Sequence, residues 1–201
     1  IMIKKFLQKV FSKKSKAELA INVADSLDTS LAKKISVKAH KIDQSLISHA
    51  AIKTCEGLQK AGFEAFIVGG AVRDLLLTVK PKDFDIATNA TPEEVNDIFR
   101  RSRIIGRRFR LVHVLWGQDT IEVSTFRGHH QAEGDAKTND SGRIIRDNIF
   151  GSLAEDAARR DFTANALYYN VATQELLDFH NGVADIKANL LRIIGDPTTR
   201  Y

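Results

Sequence analysis

Two aspartates separated by one residue, Asp83 and Asp85, are the side chains best suited to chemistry in this 201-residue chain. They fall in residues 83–87, whose alternation of polar and apolar residues predicts a strand. Residues i and i+2 of a strand share a face, so both carboxylates would point together while Phe84 and Ile86 enter the core. Two carboxylates held together repel each other unless a cation lies between them, and hard oxygen ligands suit Mg²⁺. Solvated loops contain many such pairs, so the pair alone does not predict a metal site. The neighbouring residues have to distinguish a metal site from an ordinary solvated pair.

A pair of glycines upstream of the aspartates favours a functional site there. Gly69 and Gly70 lie between a predicted strand over residues 65–68 and a predicted helix over residues 72–77. Glycines at such a turn let backbone N–H groups approach a phosphate. Arg73, on the first turn of the helix, could form a fork onto phosphate oxygens. The pattern is neither Gly-x-Gly-x-x-Gly nor a Walker loop, because no Gly-Lys-Ser/Thr follows.

Glu122 can supply a third carboxylate. In a strand predicted over residues 120–125, Ile121 and Val123 share one face and Glu122 lies on the other. Acidic side chains that hold two metal ions are typical of phosphoryl transfer, in which the ions bridge the attacking and leaving oxygens. The metal set predicted from the sequence is therefore Asp83, Asp85 and Glu122.

The order of these motifs resembles a known family. The segments Gly69-Gly70-Ala71-Val72-Arg73-Asp74, Asp83-Phe84-Asp85 and Arg159-Arg160-Asp161-Phe162-Thr163-Ala164-Asn165-Ala166-Leu167 are similar to the nucleotidyltransferase head shared by class II tRNA nucleotidyltransferases and bacterial poly(A) polymerases. The resemblance covers residues 60–201 and implies an α+β fold like the palm of polymerase β. It implies that Asp83 and Asp85 hold catalytic Mg²⁺. It also implies that Arg160, Asp161 and Asn165 line the nucleotide site, with Asp161 near the ribose or the active centre.

Within that family, residues 106–114, 121–130 and 146–151 resemble the poly(A) polymerase branch. This resemblance implies transfer of AMP from ATP to RNA 3′ ends. CCA addition to tRNA, with CTP and then ATP, uses the same acids and stays open, as does a non-catalytic RNA-binding module. The aspartate pair argues against a non-catalytic RNA-binding module, because two negative charges weaken RNA binding electrostatically. Thr78 departs from the family pattern, which has glycine after the first helix, and the resemblance implies that a base-selecting neck follows Tyr201.

Positive charge is concentrated in two places, although the net charge is only +5. Residues 1–41 hold ten lysines and three acidic residues, and a second cluster of arginines covers residues 100–110. Such patches attract polyanions, or they are simply solvated faces. Arg107, Arg108 and Arg110 are the candidates for weak RNA binding.

The domain organisation follows from these patterns. Residues 1–44 are predicted to form a basic, partly disordered N-terminal extension, with a linker over residues 12–44. Residues 1–11 have apolar residues at helical spacing between lysines, which predicts a frayed tail or a basic amphipathic helix that associates weakly with membrane surfaces. Residues 45–201 are predicted to form the head, beginning with a helix from Leu46 to Gly62.

The remaining elements of the head alternate between helices and hairpins. Capping boxes predict helices that begin after Thr91 and after Ser152, the second running toward Ala166. Hairpins are predicted from residues 111–116 with 120–125 and from residues 167–171 with 176–179. The expected fold is therefore α+β with a mixed sheet.

Cys55, the only cysteine, is predicted to be a small core residue and is compatible with a reducing compartment. No apolar run approaches the length of a membrane span, and a cytoplasmic location is predicted. Trp116 is expected to pack at a strand end or to stack on a base. The oligomeric state stays open.

Overall fold

A computed structural model of the chain describes residues 31–107, 109–128, 137–138, 144–146 and 150–196. The predicted amphipathic segment 1–11, most of the predicted linker and Arg108 lie outside the described residues. Within those ranges, no helix combines the length and the apolar character that a membrane span requires.

Short strands and short helices alternate along the chain. The strands are β1 (Lys33–Ile35), β2 (Ala65–Val68), β3 (Asp85–Thr88), β4 (Ser102–Ile105), β5 (Leu111–Trp116), β6 (Asp119–Thr125), β7 (Lys137–Thr138), β8 (Ile144–Arg146), β9 (Leu167–Tyr169) and β10 (Leu176–Asp178). The helices are α1 (Val37–His40), α2 (His49–Lys60), α3 (Gly70–Leu76), α4 (Pro92–Ile98), α5 (Leu153–Ala158) and α6 (Gly182–Lys187). Two 3₁₀ turns cover Gln44–Leu46 and Thr163–Asn165.

In the described part of the chain, eight strands form one sheet in the order β1-β10-β9-β2-β3-β6-β5-β4. Strand β3 runs parallel to β6, and the other neighbouring strands are antiparallel. The predicted mixed sheet and α+β class are therefore confirmed. Strands β7 and β8 pair separately.

The two faces of the sheet are covered differently. Helices α2, α3, α4 and α6 contribute buried residues to the larger core on one face. The other face carries a smaller core that includes Phe66, Val68 and Tyr168 from the strands, together with Leu153 and Ala157 of α5. Directly paired residues on adjacent strands share a face, so Asp85 lies on the same face as Val68, its neighbour on β2. Val68 belongs to the smaller core. The acidic residues therefore lie on the face with the smaller core.

The predicted first helix is confirmed in outline. It begins at His49, where the Ser48 side chain accepts a hydrogen bond from Ala51 N, and ends at Lys60, before Gly62 at a φ of 92°. Cys55 is fully buried in this helix, and burial raises the pKa of its thiol to about 12. It is a core residue, as predicted.

The linker prediction is wrong for the end of the N-terminal extension. Strand β1 forms the edge of the sheet and pairs with β10, Lys33 opposite Asp178 and Ile35 opposite Leu176. The polar composition of this segment hides the pairing because an edge strand exposes much of its length to water. Sheet pairing therefore begins before residue 45.

Candidate active site

One row of side chains crosses the centre of the sheet and carries the acidic residues. Asp85 is paired with Val68 on one side and with Glu122 on the other. Directly paired residues on adjacent strands share a face and lie about 5 Å apart, so the two carboxylates are neighbours. His113 is paired with Glu122, and its Nε2 lies 3.6 Å from Glu122 Oε2. The register therefore brings together two of the three predicted carboxylates.

Asp83 lies just before β3, so the strand begins two residues later than predicted. The predicted alternation still holds, because Phe84 and Ile86 are buried while Asp83 and Asp85 are exposed. Asp83 borders a hollow of about 290 Å³ that Asp119 also lines. Both aspartates are thus at the same end of β3, but Asp83 borders this hollow, whereas Asp85 lines a second cavity, called the cleft below, together with Glu122 and Arg160.

The pKa of Asp85 is raised above the ordinary value for aspartate. Desolvation by the surrounding protein is the largest cause, although the side chain keeps contact with water, and the negative charge of Glu122 is the second. Arg160 opposes this shift in the pKa, whereas Asp83 adds to it. A cation bound among these oxygens would relieve the repulsion.

The donor set fits Mg²⁺ in its chemistry, because carboxylate oxygens are the ligands that this ion prefers. Among the residues that the structure describes, however, no three acidic, histidine or cysteine side chains are already gathered into a metal-binding group. Glu122 is paired with His113, and Asp83 borders a different cavity from Asp85 and Glu122, so the predicted set is not assembled.

The turn between β2 and α3 brings the backbone to the edge of the cleft. Gly69 has a φ of 72°, a left-handed conformation that glycine adopts without strain. A Cβ atom built on Gly69 would lie 3.7 Å from Nη1 of Arg160 and 3.8 Å from Oδ2 of Asp85. The backbone at Gly69 therefore borders both an acid and an arginine of the cleft.

Arg73, on α3, joins the two predicted motifs. Its Nε and Nη2 donate to Asp74 Oδ1 at 3.0 and 2.8 Å, and its Nη1 donates to Asn165 Oδ1 at 3.2 Å. Arg73 and Asn165 are 92 residues apart in the chain. The fold thus brings together two nucleotide-binding candidates from separate segments.

Arg160 is held in the cleft by two residues that the sequence analysis did not single out, Asp156 and Tyr168. Arg160 Nε donates to the Tyr168 hydroxyl at 2.9 Å, and Nη2 donates to Asp156 Oδ2 at 3.2 Å. The Tyr168 hydroxyl in turn donates to the same carboxylate oxygen at 2.7 Å. Burial raises the pKa of Tyr168, so its hydroxyl stays a donor. This closed triangle fixes the direction of Arg160.

The two missed residues differ in how they could have been found. Asp156 precedes Arg160 by four residues, a spacing that pairs opposite charges along a helix. Tyr168 carries no such signal, because only the position of β9 in the sheet brings its hydroxyl to Arg160.

The cleft formed by these residues has a volume of about 260 Å³. Its described lining consists of Val68, Asp85, Glu122, Ser124, Arg127, Asp156, Arg159 and Arg160. Carboxylates and arginines therefore face one cavity, an arrangement that can bind a metal ion and a polyphosphate side by side.

Gly70, Arg73 and Asn165 are not among the described lining of this cleft, and three further predicted residues lie away from it. Asp161 is exposed, its Oδ1 accepts a hydrogen bond from Phe162 N at 2.8 Å, and the described lining of the cleft does not include it. Arg107 is exposed, whereas Arg110 forms an ion pair with Glu93 of α4.

Comparison with known proteins identifies related sequences. Residues 65–192 match the family model described as the poly A polymerase head domain. The chain is 53% identical over 171 residues to poly(A) polymerase I of Haemophilus influenzae, an alignment that covers 82% of this chain and 38% of that protein. It is 39% identical over 165 residues to the CCA-adding enzyme of Lactobacillus helveticus, covering 82% of this chain and 39% of that protein.

A solved structure supports the same fold. The Bacillus stearothermophilus CCA-adding enzyme in complex with CTP is similar with a TM-score of 0.60 and 34% identity, covering 75% of this chain and 34% of that chain. This likeness confirms the predicted polymerase-β-like head. The chain spans less than two fifths of the length of each of these relatives.

Proposed function

Because this chain belongs to the poly A polymerase head-domain family, we propose that it catalyses template-independent addition of AMP from ATP to RNA 3′ ends. The observation that carries the proposal is the strand register that sets Asp85 beside Glu122, in a cleft where Arg160 faces them. Acids and an arginine in one cavity suit transfer of a nucleotidyl group from a triphosphate.

Each predicted residue has a task in this reaction. Arg160 and Arg73 would bind phosphate oxygens of the triphosphate, and the backbone at Gly69 and Gly70 would lie against them. Asp161 and Asn165 would contact the ribose side of the nucleotide. The fixed direction of Arg160 supports its role in binding phosphate, because an oriented guanidinium binds phosphate without first losing conformational freedom.

Asp83 and Asp85, with Glu122 as a third ligand, would hold Mg²⁺. When bound, this ion would neutralise charge on the triphosphate and make the 3′-hydroxyl of RNA a stronger nucleophile. The hydroxyl oxygen would form a bond to the α-phosphorus, pyrophosphate would leave, and the hydroxyl proton would pass to water or a cleft carboxylate.

Two further proposals concern the setting of this activity. RNA that is tailed in this way would be directed to decay, and Arg107 would assist by attracting the RNA backbone. The cytoplasmic location stays a prediction.

CCA addition to tRNA is the second candidate function. The similarity to two CCA-adding enzymes, one of them solved with CTP, favours it. The higher identity to poly(A) polymerase I supports ATP as the donor instead. A non-catalytic RNA-binding module is disfavoured, since a row of acids repels RNA.

The deciding experiment uses the full-length protein and compares labelled ATP and CTP, each with a generic RNA and with a tRNA that lacks its CCA end. Incorporation of AMP into many RNA 3′ ends would support the poly(A) assignment. Efficient CMP incorporation confined to the trimmed tRNA would transfer the chain to the CCA-adding branch.

A further inference from the structure

The single tryptophan of the chain is exposed yet rigidly held. Trp116 is 37% exposed at the end of β5, and its indole N–H donates to Thr54 Oγ1 at 2.9 Å. The Thr54 hydroxyl donates onward to Ala50 O at 2.8 Å, so the donors of both side chains are used. Phe99 meets the indole edge to face at 6.4 Å between ring centroids. The ring therefore offers apolar surface to solvent in one fixed orientation.

The indole belongs to a cavity of about 400 Å³ that is separate from the cleft. Its described lining is Ile98, Phe99, Arg100, Arg101, Val114, Leu115, Trp116 and Gly117. Aromatic and aliphatic groups form the walls, and both arginine side chains are exposed. An apolar and aromatic cavity with arginines in its lining suits a flat apolar group that carries negative charge beside it.

In the part of the chain that the structure describes, the two arginines of this cavity are not engaged by acidic side chains, and the backbone of one of them is held in place. Within the described ranges, neither Arg100 nor Arg101 forms an ion pair. The backbone of Arg101 is fixed against β5 because its carbonyl accepts a hydrogen bond from Leu115 N at 2.8 Å. Two arginines without an ion pair in the described ranges thus line the same cavity as the exposed indole.

We propose that Trp116, Arg100 and Arg101 form a subsite for single-stranded RNA, in which one base stacks on the indole and the adjacent phosphates bind the arginines. The proposal deepens the proposed function, on which it rests, by giving the RNA a second contact away from its 3′ end. Single-stranded RNA suits the site because every base has a π face for the indole and a phosphate for the arginines. An acidic peptide would satisfy the arginines and leave the indole exposed.

The fold connects this subsite to the acidic residues. Trp116 lies three residues after His113 on β5, which is about 10 Å along the strand and on the opposite face. Gly117 and Gln118 form the turn of the β5–β6 hairpin, and Gln118 lines the hollow beside Asp83. An RNA strand with its 3′ end at the acids would reach Trp116 by crossing the hairpin tip.

Intrinsic fluorescence tests the subsite directly, because Trp116 is the only tryptophan in the 201-residue chain. We expect a short oligoadenylate to quench this fluorescence. An abasic ribose-phosphate oligomer of equal length, which has the charge without the bases, should bind more weakly and leave the fluorescence unchanged. Polyglutamate at matched charge should behave like the abasic oligomer.

Two variants test what the indole and the arginines each contribute to RNA binding. Affinity is measured by the anisotropy of labelled oligoadenylate. Trp116→Ala should weaken binding at least about fivefold, as loss of one stacked base does. The double variant Arg100→Gln with Arg101→Gln keeps the indole in place, so it remains informative if Trp116→Ala does not fold. It should weaken binding and lower the slope of log affinity against log salt by about 1.4, which is about 0.7 for each of the two phosphate contacts removed. Lys60→Gln with Lys187→Gln removes the same charge from exposed positions elsewhere and should leave binding unchanged.

Two results would overturn the proposal. One is RNA binding, seen by anisotropy, without any change in the fluorescence of Trp116. The other is equal quenching by the abasic oligomer or by polyglutamate, which would indicate a general polyanion or acidic-protein site. Since these readouts need no catalysis, the subsite can fail while AMP incorporation is observed, and it can hold in a chain that incorporates no nucleotide.

Discussion

Replacing Asp83 or Asp85 with asparagine is expected to abolish nucleotide addition while the fold is retained. Both residues are exposed at the same end of β3, and neither contributes to the core. Loss of a metal-binding carboxylate should remove several kcal/mol of transition-state stabilisation, about a thousandfold in rate. Single-turnover incorporation of labelled AMP at saturating Mg²⁺ measures the effect.

A matched control for these variants is Asp119→Asn. Asp119 is an exposed aspartate that lines the same hollow as Asp83 and lies at the start of β6. Its replacement should leave incorporation near the wild-type rate. Near-wild-type turnover of the Asp85→Asn protein would refute the metal-binding role of this pair.

The raised pKa of Asp85 gives a second prediction at the scale of the residue. A carboxyl whose pKa is higher in the fold stabilises the protein below its ordinary pKa, about 3.9, and this stabilisation is lost as the pH rises through the folded pKa. Asp85→Asn should therefore increase the free energy of unfolding near neutral pH, by less than about 1 kcal/mol because the side chain contacts water.

Denaturant unfolding across a pH series measures this difference. The gain in the unfolding free energy of Asp85→Asn should shrink as the pH falls and vanish below the ordinary pKa of aspartate. A gain that stayed constant with pH would show that the charge of Asp85 is not its cause.

Tyr168→Phe tests the triangle that orients Arg160. The variant keeps the ring in the core and removes the hydroxyl that bonds to both Arg160 and Asp156. We expect a loss of about 1–2 kcal/mol in the free energy of unfolding and a decrease of about tenfold in kcat/KM for ATP.

Tyr169→Phe is the matched control, because the hydroxyl of Tyr169 bonds to Gln44 and its ring packs in the other core. It should cost some stability and leave kcat/KM unchanged. Equal kinetic losses in the two variants would indicate a general effect on the fold and not the orientation of Arg160.

At the scale of the element, the end of α3 contains a strained residue. Thr78 has a φ of 58°, and its N–H and that of Val79 bond to Leu75 O and Asp74 O at 3.1 and 2.8 Å. This is the Schellman arrangement, in which the residue after the helix is usually glycine. Glycine is the usual residue at this position in the family that the sequence resembles, and the positive φ explains why glycine suits it.

Thr78→Gly should therefore raise the free energy of unfolding by about 1 kcal/mol, because a β-branched residue is disfavoured at positive φ. The converse is Gly62→Ala after α2, where φ is 92° and nothing lies within 4 Å of an added Cβ. That variant should lose about 1 kcal/mol. Thermal and denaturant unfolding of both variants measure the two changes in the free energy of unfolding. A change of the same sign in both variants would show that the positive φ is not the cause.

Local signals predicted most elements well. Strand β2 has the predicted bounds, and both predicted capping boxes, Thr91 with Glu94 and Ser152 with Glu155, are present. The helix after Ser152 was predicted too long, since it ends at Ala158 and not near Ala166. Phe162 is extended there and bridges to Ile193, so a distant pairing replaces the helix.

At the scale of the whole molecule, the described cleft indicates how the chain should treat the four nucleotides. Its lining is mainly carboxylates and arginines, which bind the metal and phosphates common to all of them. Rejection of a wrong base requires hydrogen-bonding groups at the base edge. The 201-residue chain should therefore bind ATP, CTP, GTP and UTP with affinities within about fivefold, measured by calorimetry with Mg²⁺. A strong preference for ATP would show that this chain itself selects the base.

The sequence by itself determined the residue types of the candidate site and its local framework. Asp83, Asp85 and the Gly69-Gly70 turn are recognisable from residue type and short spacing, because strand alternation and the conformational freedom of glycine depend only on near neighbours. The resemblance of these segments to a nucleotidyltransferase head then identified the family. All of these features are independent of which strands pair.

Only the tertiary structure decided which groups meet. The pairing of Glu122 with Asp85, the contact of Arg73 with Asn165 and the triangle around Arg160 all join residues from separate elements. The sheet also took in β1, which local composition had suggested was a linker. Each of these contacts depends on the order and register of strands, and both are set by packing of the whole core and not by any short segment of the chain.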